Sequence, residues 1–168
     1  MFKKLEKSGV IELVAITAEE LTALMKRRIS LNEIEAMKIG ELLRSLSERE
    51  PIETAFVDSP DPVAEKFEKR IRKYFDHHAP IVCEHFADKK YPVVSAASII
   101  AKVVRDQLVE EIKKEFGIDF GTGYSHDPAT IDFLKKNIRN PALQRHIRHR
   151  WSTAKNLKWE QMDLSEFF

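Results

Sequence analysis

Asp58 closes the stretch "ETAFVD" and Asp88 closes "EHFAD", so two aspartates stand just beyond short apolar runs. In an α/β layer, ligands gather outside the carboxyl ends of the strands. Two carboxylates on one such edge make a hard-oxygen site, suited to Mg²⁺ or Mn²⁺ and to phosphoryl-transfer chemistry. Each aspartate alone also suits a helix cap or a turn, and Asp58 is followed by Ser-Pro-Asp-Pro, an ordinary turn composition. Spacing leaves both readings open. After Asp88, the residues Ser95, Ser98, Lys102 and Arg105 recur at helical intervals and form one polar stripe among Val94, Ala97, Ile99, Ile100, Ala101 and Val104. That stripe either faces solvent or borders the carboxylate edge, where hydroxyls and a lysine would meet a phosphate backbone.

A second locus is basic. Between Phe133 and Trp159 there is no acidic residue, while Lys135, Lys136, Arg139, Arg145, Arg148, Arg150, Lys155 and Lys158 all lie there with His146, His149 and Trp151 interleaved. Such a segment in a chain of net charge +1 is either a solvated face or an electrostatic footprint for phosphates.

The elements that must position these groups follow from turn and cap signals. "VIELVAI" (Val10 to Ile16) reads as a strand. Thr17 with Glu20, and Ser30 with Glu33, are capping boxes that open two successive helices. "ETAFVD" is the next strand, Asp61-Pro62 caps a helix carrying Val63, Phe67, Ile71 and Tyr74, and "PIVCEH" is a third strand. Pro92 to Glu115 reads as a long helix, "GIDFGTGYSHDP" as a glycine-rich loop, and Asp127-Pro128 as the cap of a further helix ending near Asn140-Pro141. Strands alternating with helices imply an α/β layer with mostly parallel neighbours.

Composition bounds the rest. At 168 residues and 43% hydrophobic the chain suits one globular domain with a core of its own. The single cysteine, Cys83, excludes a disulfide framework and a cysteine-based zinc site, and is expected of a cytoplasmic protein. No stretch approaches membrane-spanning length, and the N-terminal apolar run is short and contains Glu12.

"VDSPDP", "EHFADKKYPVVSAASIIAKVVRD", "FGTGYSHDPAT" and "RHRWSTAKNL", in that order, resemble the type 2 ribonuclease H family, specifically archaeal ribonuclease HII. The resemblance runs from about Met1 to the end, and "KYPVVSAASIIAKV" is its most specific block. It implies a ribonuclease H-like mixed sheet flanked by helices, with a helical C-terminal part. It also implies hydrolysis of RNA in RNA–DNA hybrids, including single ribonucleotides in duplex DNA, with Mn²⁺ or Mg²⁺ as cofactor. Asp58 and Asp88 match two of the family's four catalytic, metal-binding carboxylates, and Tyr124 matches the tyrosine that stacks near the RNA–DNA junction. Ser95, Ser98, Lys102, Arg148 and Arg150 are then candidate contacts to nucleic acid. In the loop the chain departs from the usual "GYPSDP", having Ser125 and His126.

The family's other two carboxylates are an Asp-Glu pair on its first strand, followed by a Gly-Arg-Gly turn, and neither motif is in these residues. The expectation is an N-terminally truncated form with half of the active-site carboxylates, and with Val10 to Ile16 as an orphan edge strand prone to mispairing. At the other end "QMDLSEFF" places Gln161, Leu164, Phe167 and Phe168 as Q-x-x-L-x-x-F-F, which resembles the peptide that binds the PCNA sliding clamp. Leu164, Phe167 and Phe168 would stand on one helical turn facing a hydrophobic pocket. The expected organisation is a ribonuclease H-like domain over 1–150, a basic linker over 151–160 and a clamp-binding peptide over 161–168. Two functions follow: a metal-dependent endoribonuclease, or a catalytically inactive module that holds hybrid or DNA and is tethered to the clamp.

Overall fold

The structure, a computed structural model, describes residues 9–149. In chain order it contains α1 (Ala18–Lys26), α2 (Leu31–Ser47), β1 (Ala55–Asp58), α3 (Ala64–Arg72), β2 (Ile81–Glu84), α4 (Ala87–Lys90), α5 (Pro92–Phe116), α6 (Pro128–Asn137) and a 3₁₀ helix (Pro141–His146). The chain divides into two compact units. Among the described residues, one comprises 9–15 and 29–104, the other 16–28 and 105–149, and α5 contributes its first half to the former and its second half to the latter.

Local chemistry accounts for several boundaries. The Thr17 hydroxyl accepts from the Glu20 N–H at 3.0 Å and the Ser30 hydroxyl from the Glu33 N–H at 3.2 Å, so both N-caps form as the sequence predicts. The second cap is not a reciprocal box, because the Glu33 carboxylate is drawn to Arg70, Lys73 and Tyr74.

In the first unit β1 and β2 pair in parallel, with Ala55 opposite Ile81 and Asp58 opposite Glu84. The helix between them, α3, packs on this sheet through Phe67 and Ile71, which have no exposed surface. Ala36 of α2, Ala55, Phe75 and Ile81 complete the core, with Ile39, Leu43, Ile52, Val57 and Cys83 around it. Burying each such aliphatic or aromatic side chain is worth about 1.5–3 kcal/mol. Gly40 lets α2 approach Tyr74, where a Cβ would collide with the tyrosine Cβ. Burial pushes the Cys83 thiol up to about 11, which makes it a packing residue rather than a nucleophile.

Two expectations are corrected here. Val10 to Ile16 forms no strand: the sheet among the described residues is two-stranded, and Val10, Leu13 and Val14 are exposed. β-branched residues favour a strand only where a partner supplies a ladder, and none pairs with this stretch among the described residues. Its fixed point is instead Glu12, whose carboxylate accepts the Ser45 hydroxyl at 2.6 Å. Asp61 is likewise no cap. The N-cap of α3 is Val63, with no side-chain cap bond, while Asp61 is buried and accepts from Asn32 at 2.5 Å and Arg70 at 2.8 Å.

The second unit is built on Ile138, Leu143 and Ile147, packed with Phe116, Phe133 and Leu134. Phe120 stacks on Phe133 with centroids 5.0 Å apart. No described helix is long and apolar enough to cross a membrane.

Candidate functional site

The parallel ladder delivers Asp58 to the carboxyl end of β1, and the Ser59 N–H extends the ladder to the Glu84 carbonyl at 3.0 Å. After β2 the chain reverses sharply at Phe86, whose φ of 55° lies in the left-handed region that costs a bulky residue steric strain. That reversal starts α4 beside Asp58, whose Oδ1 accepts the Ala87 N–H at 3.1 Å. Asp88 is the next residue. Thus Asp58 and the first turn carrying Asp88 meet at one sheet edge, as the sequence predicts. Glu84, opposite Asp58 in the ladder, is tied to Lys90 at 2.7 Å and to Tyr91 at 2.9 Å, and these hydrogen bonds, Lys90 first, hold its carboxyl below the usual range. The Ser59 hydroxyl is buried at this edge without a hydrogen-bond partner among the described residues.

The donor set bears on a metal. An Mg²⁺-sized ion is ordinarily held by one or two carboxylates, with water and phosphate oxygens completing the octahedron. Asp58 and Asp88 fit one such ion in number and kind. Among the described residues there is no group of three or more His, Cys, Asp or Glu side chains able to hold a metal.

On α5, Ser98 and Lys102 are exposed and Ser95 is half-buried, while Ala97 and Ala101 of the same helix are also exposed. The stripe therefore opens to solvent, available to a partner.

The second unit carries Tyr124 on a loop held from within. Asp127 caps α6 through the Ala129 N–H at 3.0 Å, and its other oxygen accepts the Thr122 N–H at 2.5 Å and the Thr122 hydroxyl at 2.7 Å. These bonds, the Thr122 N–H first, bring the Asp127 carboxyl down to about 2. The Gly123 N–H donates to the Thr130 hydroxyl at 2.9 Å, which donates in turn to the Phe120 carbonyl at 2.8 Å. Gly121 has φ of 80°, and a Cβ there would collide with Asp127 Oδ2, so the loop closes only with glycine at that position. Tyr124 is left 40% exposed, enough to offer a ring surface to a ligand.

A groove of about 580 Å³ in this unit is lined by Tyr124, Arg105, Phe120, Arg145 and Arg148 among others. Two predicted residues, Tyr124 and Arg148, both line it. Arg145 is paired with Glu115. Arg150, Gln161, Leu164, Phe167 and Phe168 lie outside the described residues. Sequence reasoning missed the anchoring role of Asp127, read only as a cap, and the contact of Arg105 with Tyr124, whose guanidinium lies 3.8 Å from the ring centroid. A glycine-rich loop ending in Asp-Pro was the available signal for the first; the second had none.

The sequence as a whole matches a known family. The sequence model of the family described as Ribonuclease HII matches residues 1–154, and the chain belongs to that family. It is 38% identical over 152 residues to a ribonuclease HII of Archaeoglobus fulgidus, covering 90% of this chain and 70% of that one. To a ribonuclease HII of Thermofilum pendens it is 39% identical over 130 residues, covering 77% of this chain and 61% of the relative. Among solved structures, the Archaeoglobus fulgidus protein of a PCNA:RNase HII complex superposes with a TM-score of 0.81 at 36% identity, over 93% of this chain and 72% of that one. The ribonuclease H2 of Pyrococcus horikoshii gives 0.75 at 33% identity, over 95% and 74%. The chain thus spans between about three fifths and three quarters of the length of these relatives.

Proposed function

We propose that this chain provides the RNA–DNA-hybrid endonuclease function of its family, hydrolysing RNA in hybrids and at single ribonucleotides embedded in duplex DNA, as in ribonucleotide and RNA primer removal. The observation that carries the reading is the family match over residues 1–154, supported by Asp58 and the Asp88 turn meeting at one sheet edge. Asp58 and Asp88 would hold a divalent ion, Mg²⁺ or Mn²⁺, which when bound supplies Lewis-acid stabilisation of a phosphoryl oxygen and an activated water. Tyr124 would stack near the ribonucleotide, whose 2′-hydroxyl distinguishes RNA from DNA. Ser95, Ser98, Lys102, Arg148 and Arg150 would contact the phosphate backbone. Gln161, Leu164, Phe167 and Phe168 would engage a PCNA-type clamp, a reading in keeping with the relative solved in a PCNA complex.

The test combines metal titration with cleavage of a DNA duplex containing one ribonucleotide. The protein is expected to bind Mn²⁺ through Asp58 and Asp88 and to show EDTA-sensitive cleavage at the ribonucleotide. A second reading, a binding module without catalysis, is favoured by the lack of any larger ligand cluster among the described residues. It prevails if the protein binds hybrid but never cuts. The clamp assignment is separable: replacing Phe167 and Phe168 by alanine is expected to abolish clamp binding by calorimetry while leaving hybrid affinity unchanged, each buried phenylalanine being worth roughly 1.5–3 kcal/mol.

A further inference from the structure

Two side chains approach the Tyr124 ring in the second unit. The Arg105 guanidinium carbon is 3.8 Å from the Tyr124 ring centroid, and the His126 ring lies 5.5 Å from Tyr124 at an interplanar angle of 18°. The approach of Arg105 is prepared by the loop. Gly123 has φ of 74°, and a Cβ built there would lie 3.2 Å from Arg105 Nη2, so the glycine keeps the space through which the guanidinium reaches the ring. Arg105 is itself steadied by Asp106, at 2.9 Å, and is 30% exposed, so its charge is partly withdrawn from water beneath an exposed aromatic surface. Both Arg105 and Tyr124 line the same groove.

We infer that Arg105 is a positioning residue for Tyr124: its guanidinium holds the ring in the orientation that stacks on nucleic acid, and Arg105 acts through the ring rather than by touching a phosphate. This rests on the reading of Tyr124 as a nucleic-acid contact. The physical basis is that the face of a tyrosine carries negative charge density, so a flat cation stacked on it removes the freedom of the ring about its side-chain torsions. A ring already fixed does not lose that freedom again on binding. A lysine cannot substitute fully, because it offers a point charge and no plane.

The experiment is a double-mutant cycle on affinity for an RNA–DNA hybrid duplex and for a DNA duplex of the same sequence, using the full chain. Arg105→Ala is expected to weaken hybrid binding about two- to fivefold, the range of an exposed cation–π contact. In a Tyr124→Ala background the same substitution is expected to change nothing further. Arg105→Lys is expected to recover only part of the loss, and serves as the second variant if Arg105→Ala does not fold. An Arg105 effect that persists in full without Tyr124 means a direct phosphate contact and overturns the inference, as does an unchanged affinity for Arg105→Ala. If Tyr124→Ala itself binds hybrid like the wild type, the role of Tyr124 fails first, and the inference falls with it.

Discussion

At the sheet edge of the first unit, Asp58 engages one oxygen with the Ala87 N–H, and the Asp88 carboxylate has no hydrogen-bond or ion-pair partner among the described residues. In the glycine-rich loop of the second unit, Asp127 accepts from the Thr122 N–H, the Thr122 hydroxyl and the Ala129 N–H. A carboxylate has about four lone-pair sites, so the protein itself occupies most of what Asp127 offers and little of what Asp58 and Asp88 offer. The difference separates an aspartate that builds structure from one that is available to a ligand. Asp61 extends the contrast: it lies in the same unit as Asp58, yet it is buried and each of its oxygens is engaged, one by Asn32 and the other by Arg70.

The largest effect should come from the open pair. In a form of the protein that cleaves, Asp58→Asn or Asp88→Asn is expected to lower the rate by several orders of magnitude, because each removes a charge that an ion would require. Thermal unfolding of Asp88→Asn should stay close to that of the wild type, since no internal partner is lost. A large fall in Tm with the rate untouched would reverse the comparison.

Asp127→Ala should show the opposite profile. It removes the acceptor for three donors and releases the turn that carries Tyr124, so Tm should fall, and hybrid affinity should drop by about tenfold, in the range of one lost base-stacking contact. Metal titration should be unaffected. Next in size, Arg148→Ala with Arg150→Ala should lower the slope of log affinity against log salt by about one unit per lost phosphate contact. An unchanged slope would show that these arginines do not meet phosphates.

The capping side chains also show where the sequence is readable. Thr17, Ser30 and Asp127 are legible as caps because a cap is decided within three residues of itself. Asp61-Pro62 has the same local signature and is misleading, since Asn32, 29 positions away, and Arg70 compete for its carboxylate. Val10 to Ile16 fails as a strand for a related reason: apolar alternation is local, whereas a ladder needs a partner. The strands ending at Asp58 and Glu84 are legible because each is the other's partner across α3. In the candidate site, the placement of Asp58 and of the turn carrying Asp88 at one sheet edge follows from strand-end logic, while Tyr124 is singled out by family resemblance alone. The Arg105 stack depends on where the loop folds back, which no helical spacing records.

Glu33 gives the smallest and most discriminating test. It lies in the same unit as the open pair, but its carboxylate accepts from Arg70 at 2.6 Å, Tyr74 at 2.8 Å and Lys73 at 3.1 Å. Partial burial pushes its pKa up, and the Arg70, Tyr74 and Lys73 hydrogen bonds outweigh that, bringing it down to about 2 from the ordinary 4.5. A carboxyl whose folded pKa is depressed stabilises the fold fully above its unfolded value, and that stabilisation is lost as pH falls toward the folded one. Glu33 therefore contributes at neutral pH, and its contribution declines between about 4.5 and about 2. Glu33→Gln should lower Tm at pH 7, and the gap to the wild type should narrow through that acid window, because protonation does to the wild type what the substitution has already done. A gap that stays constant down to the acid limit would mean that the amide disturbs packing around Tyr74 rather than removing a charge, and the division between saturated and open carboxylates would then lose its electrostatic basis.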